Sequence, residues 1–419
     1  MKRRMFIKQG ALISAGLAFF PGSSLKGHAE SMPHTGVWSS EENEALPVIH
    51  LEGTARERGR IHGETLCAQI KELVAVWKED LHQQRRTDPD EYLKGFLEKT
   101  DFPQAIKRWT PGLLEEVEGI AEGAGIDFET MLAFQFVDEE WWYNAYGYSS
   151  KPIPLPADVK HCSALAVFGQ EGLPTFVAQN LDIPAFTDGF QTLLRIRHLG
   201  SSLESLVFTY AGLVSLCGMN NHGVGQVVNA LLQLNHRADG LPVAFINRGI
   251  LERTTHDMAV RFLHDIKHAS GQNYTIGGIK KASSHECSAS KVIRFEPYEK
   301  ATRLYHTNHP LVNDNQSIYN EMLERVKDRW QPKHPDNSDI RYMALEKRLK
   351  DPTKRITLAM IKEALSSKDD LQNPVCREKR PDGKGAFTSG CLIMELSEEP
   401  KLHLAAGPPC EKDFHTYAF

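Results

Sequence analysis

A chain of 419 residues can form one large domain or two ordinary ones and can bury a sizeable core without disulfides or metals. With 49 Lys and Arg against 54 Asp and Glu, its slightly acidic balance lacks the basic footprint of a nucleic-acid binder or of a protein held on an anionic membrane, so the expected partner is a small molecule. Aromatic residues at 9% and ordinary Gly and Pro usage exclude a disordered tail as the main component.

The chain opens Met1-Lys2-Arg3-Arg4-Met5-Phe6-Ile7-Lys8, the pattern of a twin-arginine export signal. The apolar run from Gly10 to Phe20 is far shorter than the ~20 residues a membrane-spanning helix needs. Pro21 breaks it, and Gly27-His28-Ala29 supplies small residues where a signal peptidase cuts. Residues 1–29 are therefore expected to be a signal peptide, with Glu30 as the mature start and a periplasmic or secreted destination. No later stretch is long and apolar enough to span a bilayer. The seven cysteines, at 67, 162, 217, 287, 376, 391 and 410, form no CxxC pair, which argues against zinc ribbons and thioredoxin-like chemistry. An oxidising destination would permit disulfides, and an odd count leaves at least one thiol over.

Residues 30 to about 46 are polar and turn-rich and carry no chemistry. From about Ala55 into Leu81, Ile70, Leu73, Val74, Trp77 and Leu81 recur at helical steps and predict one long helix facing a core. A second helix follows Pro111 and closes at Gly123-Ala124-Gly125, and a third covers Thr130 to Phe136. The first 150 residues thus read as mostly helical. Trp141-Trp142-Tyr143 with Tyr146 suits either a pocket lining or plain core.

Lys151-Pro152-Ile153-Pro154-Leu155-Pro156 bars helix and central strand and marks an exposed connector. Two strand-like runs follow, one from Cys162 to Phe168 and one from Thr175 to Asp182, around a Gly-containing turn, and predict a β-hairpin. Further strands are expected at residues 193–198, 205–210, 225–230, 290–295 and 392–396. A helix opens at the capping-box spacing Thr254-x-x-Asp257 and another near Thr357. Strands in runs with grouped helices give an α+β fold of layers, not an alternating parallel one.

Cys162 stands at the first position of a strand directly after that connector, whereas structural cysteines usually sit inside apolar runs. Its thiol can add to the carbonyl of His161, giving a thioester that water hydrolyses. Cleavage between His161 and Cys162 would free an α-amine, whose reference pKa of about 7.7–8.0 makes it a base for its own thiol near neutrality. No separate histidine is then required. An inert strand-start cysteine is the alternative that spacing alone leaves open.

The run from Cys162 to Gln179-Asn180-Leu181-Asp182 resembles the N-terminal hairpin of the N-terminal nucleophile hydrolases. In particular it resembles the acyl-coenzyme A:6-aminopenicillanic acid acyltransferase family, with choloylglycine hydrolases and penicillin V acylases as more distant relatives. The resemblance implies that Cys162 is the nucleophile after self-cleavage and that Asp182 holds its α-amine. Gln179 stands where the family pattern has arginine. Gly218-Met219-Asn220-Asn221-His222-Gly223-Val224 matches the family turn that precedes an asparagine, here Asn229, implied as the oxyanion donor. Asn273 matches a second asparagine that orients the site. Tyr305-His306-Thr307-Asn308-His309 and Ala405-Ala406-Gly407-Pro408-Pro409 resemble the later His-x-Asn-His and closing segments.

The fold implied is a four-layer αββα sandwich, with residues 30–161 as a helical segment that stays associated with the catalytic segment 162–419 after cutting. The implied reaction is hydrolysis or acyl transfer on a linear amide of a small N-acyl substrate, with no metal or organic cofactor. Three rivals remain at this point: an intact papain-like enzyme pairing Cys162 with His161 or His222, a metal on His306 and His309, and a non-catalytic exported binding protein, which Gln179 favours.

Overall fold

A capping box starts the first helix. Glu57 N–H donates to Thr54 Oγ1 at 3.3 Å, and Thr54 N–H donates to Glu57 Oε2 at 2.8 Å, fixing α1 (Ala55–Thr65). The computed structural model describes residues 46–144, 162–328, 332 and 334–419. The segment expected to be an export signal, His161, the proline-rich run 151–156 and Tyr146 lie outside the described residues.

The single long helix expected to run from Ala55 is two helices. The chain turns at Leu66 (φ −109°, ψ 24°) and restarts as α2 (Cys67–Arg85), whose stripe of Ile70, Leu73, Val74, Trp77 and Leu81 is buried. The reason is a glycine seam. A Cβ on Gly59 would sit 1.9 Å from Glu116 O and one on Gly63 2.4 Å from Ile120 O. Reciprocally, a Cβ on Gly119 would meet Arg56 O at 2.1 Å and one on Gly123 would meet Arg60 O at 2.4 Å. Helix α5 (Pro111–Ala124) therefore lies backbone to backbone on α1, while α2 must serve a different face of the core. Gly59→Ala should cost about 3 kcal/mol, because backbone cannot yield as a side-chain tip does. Gly95→Ala, in α3 (Pro89–Glu98), meets only Tyr143 Oη at 3.8 Å and should be neutral or gain up to about 1 kcal/mol from helix propensity. Urea midpoints of the two variants check the contrast.

Helix α5 ends where expected, at Gly125 in the left-handed conformation (φ 63°). Helices α4 (Phe102–Trp109), α6 (Phe128–Phe134) and α7 (Glu139–Tyr143) complete the N-terminal segment. Trp142 is buried and donates Nε1–H to Leu234 O at 3.3 Å, and Tyr143 packs edge-on against Phe96. Trp142 and Tyr143 are therefore core, not pocket lining, while Trp141 is half-buried.

Two sheets form the centre. The larger has the order β1 (Val48–Leu51), β4 (Gln191–Arg197), β5 (Glu204–Tyr210), β6 (Cys217–Asn220), β7 (Gly225–Ala230), β8 (Gln272–Gly277), β9 (Ala282–Cys287), β10 (Val292–Phe295). The smaller runs β11 (Arg303–His306), β2 (Ser163–Val167), β3 (Thr175–Pro184), β12 (Ala386–Leu396), β13 (Lys401–Ala405), β14 (His415–Ala418). Strands β2 and β3 pack on β7 and β8 across the interior. Helices α8 (Val243–Leu251) and α9 (His256–Asp265) cover the outside of the larger sheet. After α10 (Ser317–Val326), helices α11 (Asn337–Leu349) and α12 (Leu358–Leu365) cover the smaller one through Leu345, Leu349, Ile361 and Leu365. The fold is the expected α+β, four-layer αββα sandwich.

The predicted hairpin is present, with Ser163 opposite Asn180 and Val167 opposite Phe176. The helix expected to open with Thr254 as its cap is shifted by one residue: Thr255 Oγ1 accepts Met258 N–H at 3.2 Å. The helical segment and the sandwich share one apolar cluster and one buried ion group, since Glu116 of α5 takes Arg248 of α8 at 2.7 Å and Arg58 of α1 at 3.1 Å. Burial opposes ionisation there, yet Arg248 and Arg58 hold the Glu116 carboxyl down to about 2.

Candidate active site

Cys162 immediately precedes β2 and is buried. Its Sγ lies 3.8 Å from Asp182 O. Extrapolating the hairpin register makes Leu181 its cross-strand neighbour, and period-two alternation divides β3 into two faces. Leu181 and Ile183 line a cavity with Cys162, while Asn180 and Asp182 address the other face. The cavity at the Cys162 sulfur and the Asp182 carboxylate thus lie on opposite faces of the hairpin.

The cavity holds about 40 Å³, room for a few waters but not for an acyl chain as it stands. Leu213, Val228 and Val243 add apolar wall, and Asp138, Asn247 and Gln272 form a polar portion. Next to it Glu139 accepts Val243 N–H at 3.0 Å and Ser270 Oγ–H at 2.7 Å. Burial, with Asp138 adding repulsion, lifts its carboxyl to about 7.

Asn229 Nδ2 donates to Cys162 O at 3.2 Å and to His306 O at 3.5 Å. Strand pairing sets Asn273 opposite Asn229, and its Nδ2 donates to Asn229 Oδ1 at 3.4 Å. Ser284 Oγ in turn donates to Asn273 Oδ1 at 2.7 Å. The relay fixes which end of the Asn229 amide faces Cys162. Gln179, in the place of the expected arginine, donates to Val228 O at 2.5 Å and so ties β3 to β7 across the sandwich.

Asp182 is fully buried. Its Oδ1 accepts Thr388 Oγ1–H at 2.7 Å, its Oδ2 has no hydrogen-bond partner among the described residues, and Arg377 Nε is 3.9 Å from Oδ2. Burial raises the carboxyl to about 7, with Thr388, Arg341 and Arg377 pulling the other way.

Arg341 is the residue that pattern reading missed. It stands on α11, and its Nη1 donates to Cys162 O at 2.7 Å and to Ser163 Oγ at 3.0 Å. Asn337 accepts its Nε–H at 2.7 Å and Asn308 its Nη2–H at 3.2 Å. Burial lowers the guanidinium pKa to about 10, with Asp182 and Cys162 opposing that shift. Thr388 and Arg377 were missed as well. The structure therefore brings together Cys162, Asp182, Asn229 and Asn273, and adds a cation beside the Cys162 carbonyl.

The other candidates sit elsewhere. Asn220 is a turn brace, its Nδ2 donating to Leu251 O and Arg253 O at 2.8 Å and its Oδ1 accepting from His222 and Val224 N–H. His222 is exposed in the turn before β7, beyond Gly225, which is itself about 13 Å along the strand from Asn229, too distant to pair with Cys162. His306 lies on Glu286 at 2.9 Å, whose carboxylate also accepts the N–H groups of Leu311, Val312 and Asn313. His309 faces Ser338 and Asp339. Among the described residues no three His, Cys, Asp or Glu stand together as metal ligands, and no helix is long and apolar enough to cross a membrane.

Residues 167–377, just over half of the chain, match the sequence model of the acyl-coenzyme A:6-aminopenicillanic acid acyl-transferase family. The chain belongs to that family. As an acyl-coenzyme A:6-aminopenicillanic acid acyl-transferase family member it is an enzyme of amide chemistry, an amide hydrolase or an N-acyltransferase. The family match begins five residues after Cys162 and includes Asp182, Asn229, Asn273, Arg341 and Arg377. No curated protein matches the chain. Among solved structures, a mutant conjugated bile acid hydrolase from Clostridium perfringens is similar at a TM-score of 0.39 and 14% identity, covering 62% of this chain and 97% of that one. Penicillin V acylase from Agrobacterium tumefaciens is similar at a TM-score of 0.38 and 14% identity, covering 58% and 83%.

Proposed function

We propose that this family member is made as a precursor, exported through the twin-arginine route, and activated when Cys162 attacks the carbonyl of His161. The thioester formed is hydrolysed by water, leaving residues up to His161 as one piece and freeing the α-amine of Cys162. The buried Glu116–Arg248 contact and the shared apolar cluster support continued association of the two pieces.

In the mature enzyme the Cys162 thiol attacks the acyl carbonyl of a small N-acyl substrate. The α-amine accepts the thiol proton and passes it to the leaving amine, and water or a second amine then resolves the thioester. Asp182 steadies the α-ammonium. Asn229 and backbone amides stabilise the oxyanion, with Asn273 orienting Asn229. The observation that carries the reading is the convergence on one residue: Asn229 and Arg341 on the Cys162 carbonyl, a cavity at its sulfur, and a buried carboxylate on the opposite face of the hairpin. Apolar walls beside a small polar group favour an apolar over a charged acyl portion on the cavity side. Outside the cytoplasm an acyl-coenzyme A donor is scarce, so hydrolysis is preferred over transfer.

The test is a panel of N-acylated amino acids, β-lactams and acylated amines, scored for released amine and for an acyl adduct on Cys162 by mass. Release with the adduct on that residue is expected, and release with the adduct elsewhere, or no release, overturns the reading. Asn229→Ala should lower kcat by roughly 10²–10³. Its self-cleavage, followed by mass, reports whether the same amide serves both reactions.

A further inference from the structure

Cys376 is buried and Cys410 is exposed, yet their sulfurs are 2.7 Å apart, inside the roughly 3.5–4.0 Å at which even smaller unbonded carbon atoms rest. Both lie on anchored backbone. Cys376 N–H donates to Ser367 O at 3.0 Å, and Ser366 Oγ donates to Pro409 O at 3.2 Å, so the end of α12 holds the two segments side by side. Lys368, paired with Glu378, stands beside the Cys410 sulfur.

The segment through Cys376 is not idle. Asn180 of β3 donates Nδ2–H to Val375 O at 2.8 Å. Arg377 N–H donates to Thr388 Oγ1 at 3.0 Å, and Thr388 N–H donates to Arg377 O at 2.9 Å. Thr388 bonds the Asp182 carboxylate and Arg377 stands 3.9 Å from it. Whatever fixes Cys376 therefore fixes the surroundings of Asp182.

We propose that Cys376 and Cys410 form a disulfide that clamps the C-terminal tail onto the segment carrying Arg377. The oxidant is a small-molecule disulfide. The accessible Cys410 thiolate attacks one of its sulfurs and expels a thiolate, and the Cys376 thiolate then attacks the Cys410 sulfur of the mixed disulfide and expels the second. The two protein thiols lose two electrons and two protons, and the small disulfide is reduced to two thiols. Both cysteines lie after residue 162, so the pairing holds whether or not the chain cuts itself.

The experiment exposes the purified full chain to oxidised glutathione or to a phosphine reductant, alkylates remaining thiols, and maps peptides by mass alongside a thermal melt. Expected are a peptide pair joined through Cys376 and Cys410 and a Tm about 5 °C higher in the oxidised sample, a difference absent in Cys410→Ser. Alkylation of both thiols after oxidation, a glutathione adduct left on Cys410, or a linked peptide without a Tm shift overturns the proposal.

Discussion

Cys162→Ala should yield a chain that stays in one piece and releases amine at least roughly 10³-fold more slowly than the parent. The substitution removes the sulfur proposed to attack in both reactions, and it leaves the rest of the constellation standing, because Asn229 and Arg341 bond to the backbone oxygen of residue 162 and not to its side chain. Folding should be nearly unaffected, so circular dichroism and melting serve as the control. Cys162→Ser is the graded case. Its hydroxyl is the weaker nucleophile near neutral pH, and cleavage over hours should replace cleavage during expression. Quantitative cleavage of Cys162→Ala would remove the sulfur from the account.

The second large effect belongs to Asp182. On the proposed mechanism Asp182→Asn should reduce turnover by roughly 10²-fold or more, since the α-ammonium would lose a fully buried carboxylate. Stability should move the other way. In the uncut Cys162→Ala chain burial holds the Asp182 carboxyl at about 7, whereas an unfolded Asp ionises near 3.8. The folded state favours the protonated form, so its advantage is complete below about pH 4. That advantage fades as pH rises to 7, because the unfolded chain sheds its proton first, and it changes no further above that. Cys162→Ala with Asp182→Asn should therefore equal Cys162→Ala near pH 4 and exceed it at pH 8, by up to about 4 kcal/mol. Denaturant midpoints at the two pH values read this directly. A structural aspartate would show loss of stability at both.

Legibility in the sequence followed the kind of force that shapes each element. The β2–β3 hairpin was readable because its apolar runs flank a turn, and Cys162, Asp182, Asn229 and Asn273 were nameable because strand order carries the family motif. Strands β8 and β9 carry no such signal. Asn273, Ser283, Ser284, His285 and Glu286 are polar and buried there, so no apolar alternation announces them; Ser284 bonds Asn273, His285 bonds Ser283, and Glu286 bonds His306. The early part of β12, Ala386 to Gly390, is small and polar for a related reason. It carries Thr388 to Asp182 and is irregular between Thr388 and Gly390.

Arg341 lay beyond motif reading because it arrives from a helix far along the chain. A signal did exist: Arg341, Leu345 and Leu349 fall at four-residue steps on one buried face, and a cation in an apolar stripe asks for a partner inside the protein. Gln179 stands where the family pattern has arginine and, in the sequence alone, favours a non-catalytic binding protein. It instead ties the two sheets together, and guanidinium density beside Cys162 comes from α11. The break at Leu66 was hidden because the α2 stripe is periodic by itself, while the glycine seam that holds α1 to α5 depends on backbone contact.

The most direct measurement is the intact mass and N-terminal sequence of the enzymatically active protein. The account predicts two polypeptides that co-purify, the larger beginning with Cys162 and carrying the acyl adduct when substrate is trapped. Active material that runs unbroken through residues 161 and 162 would contradict it.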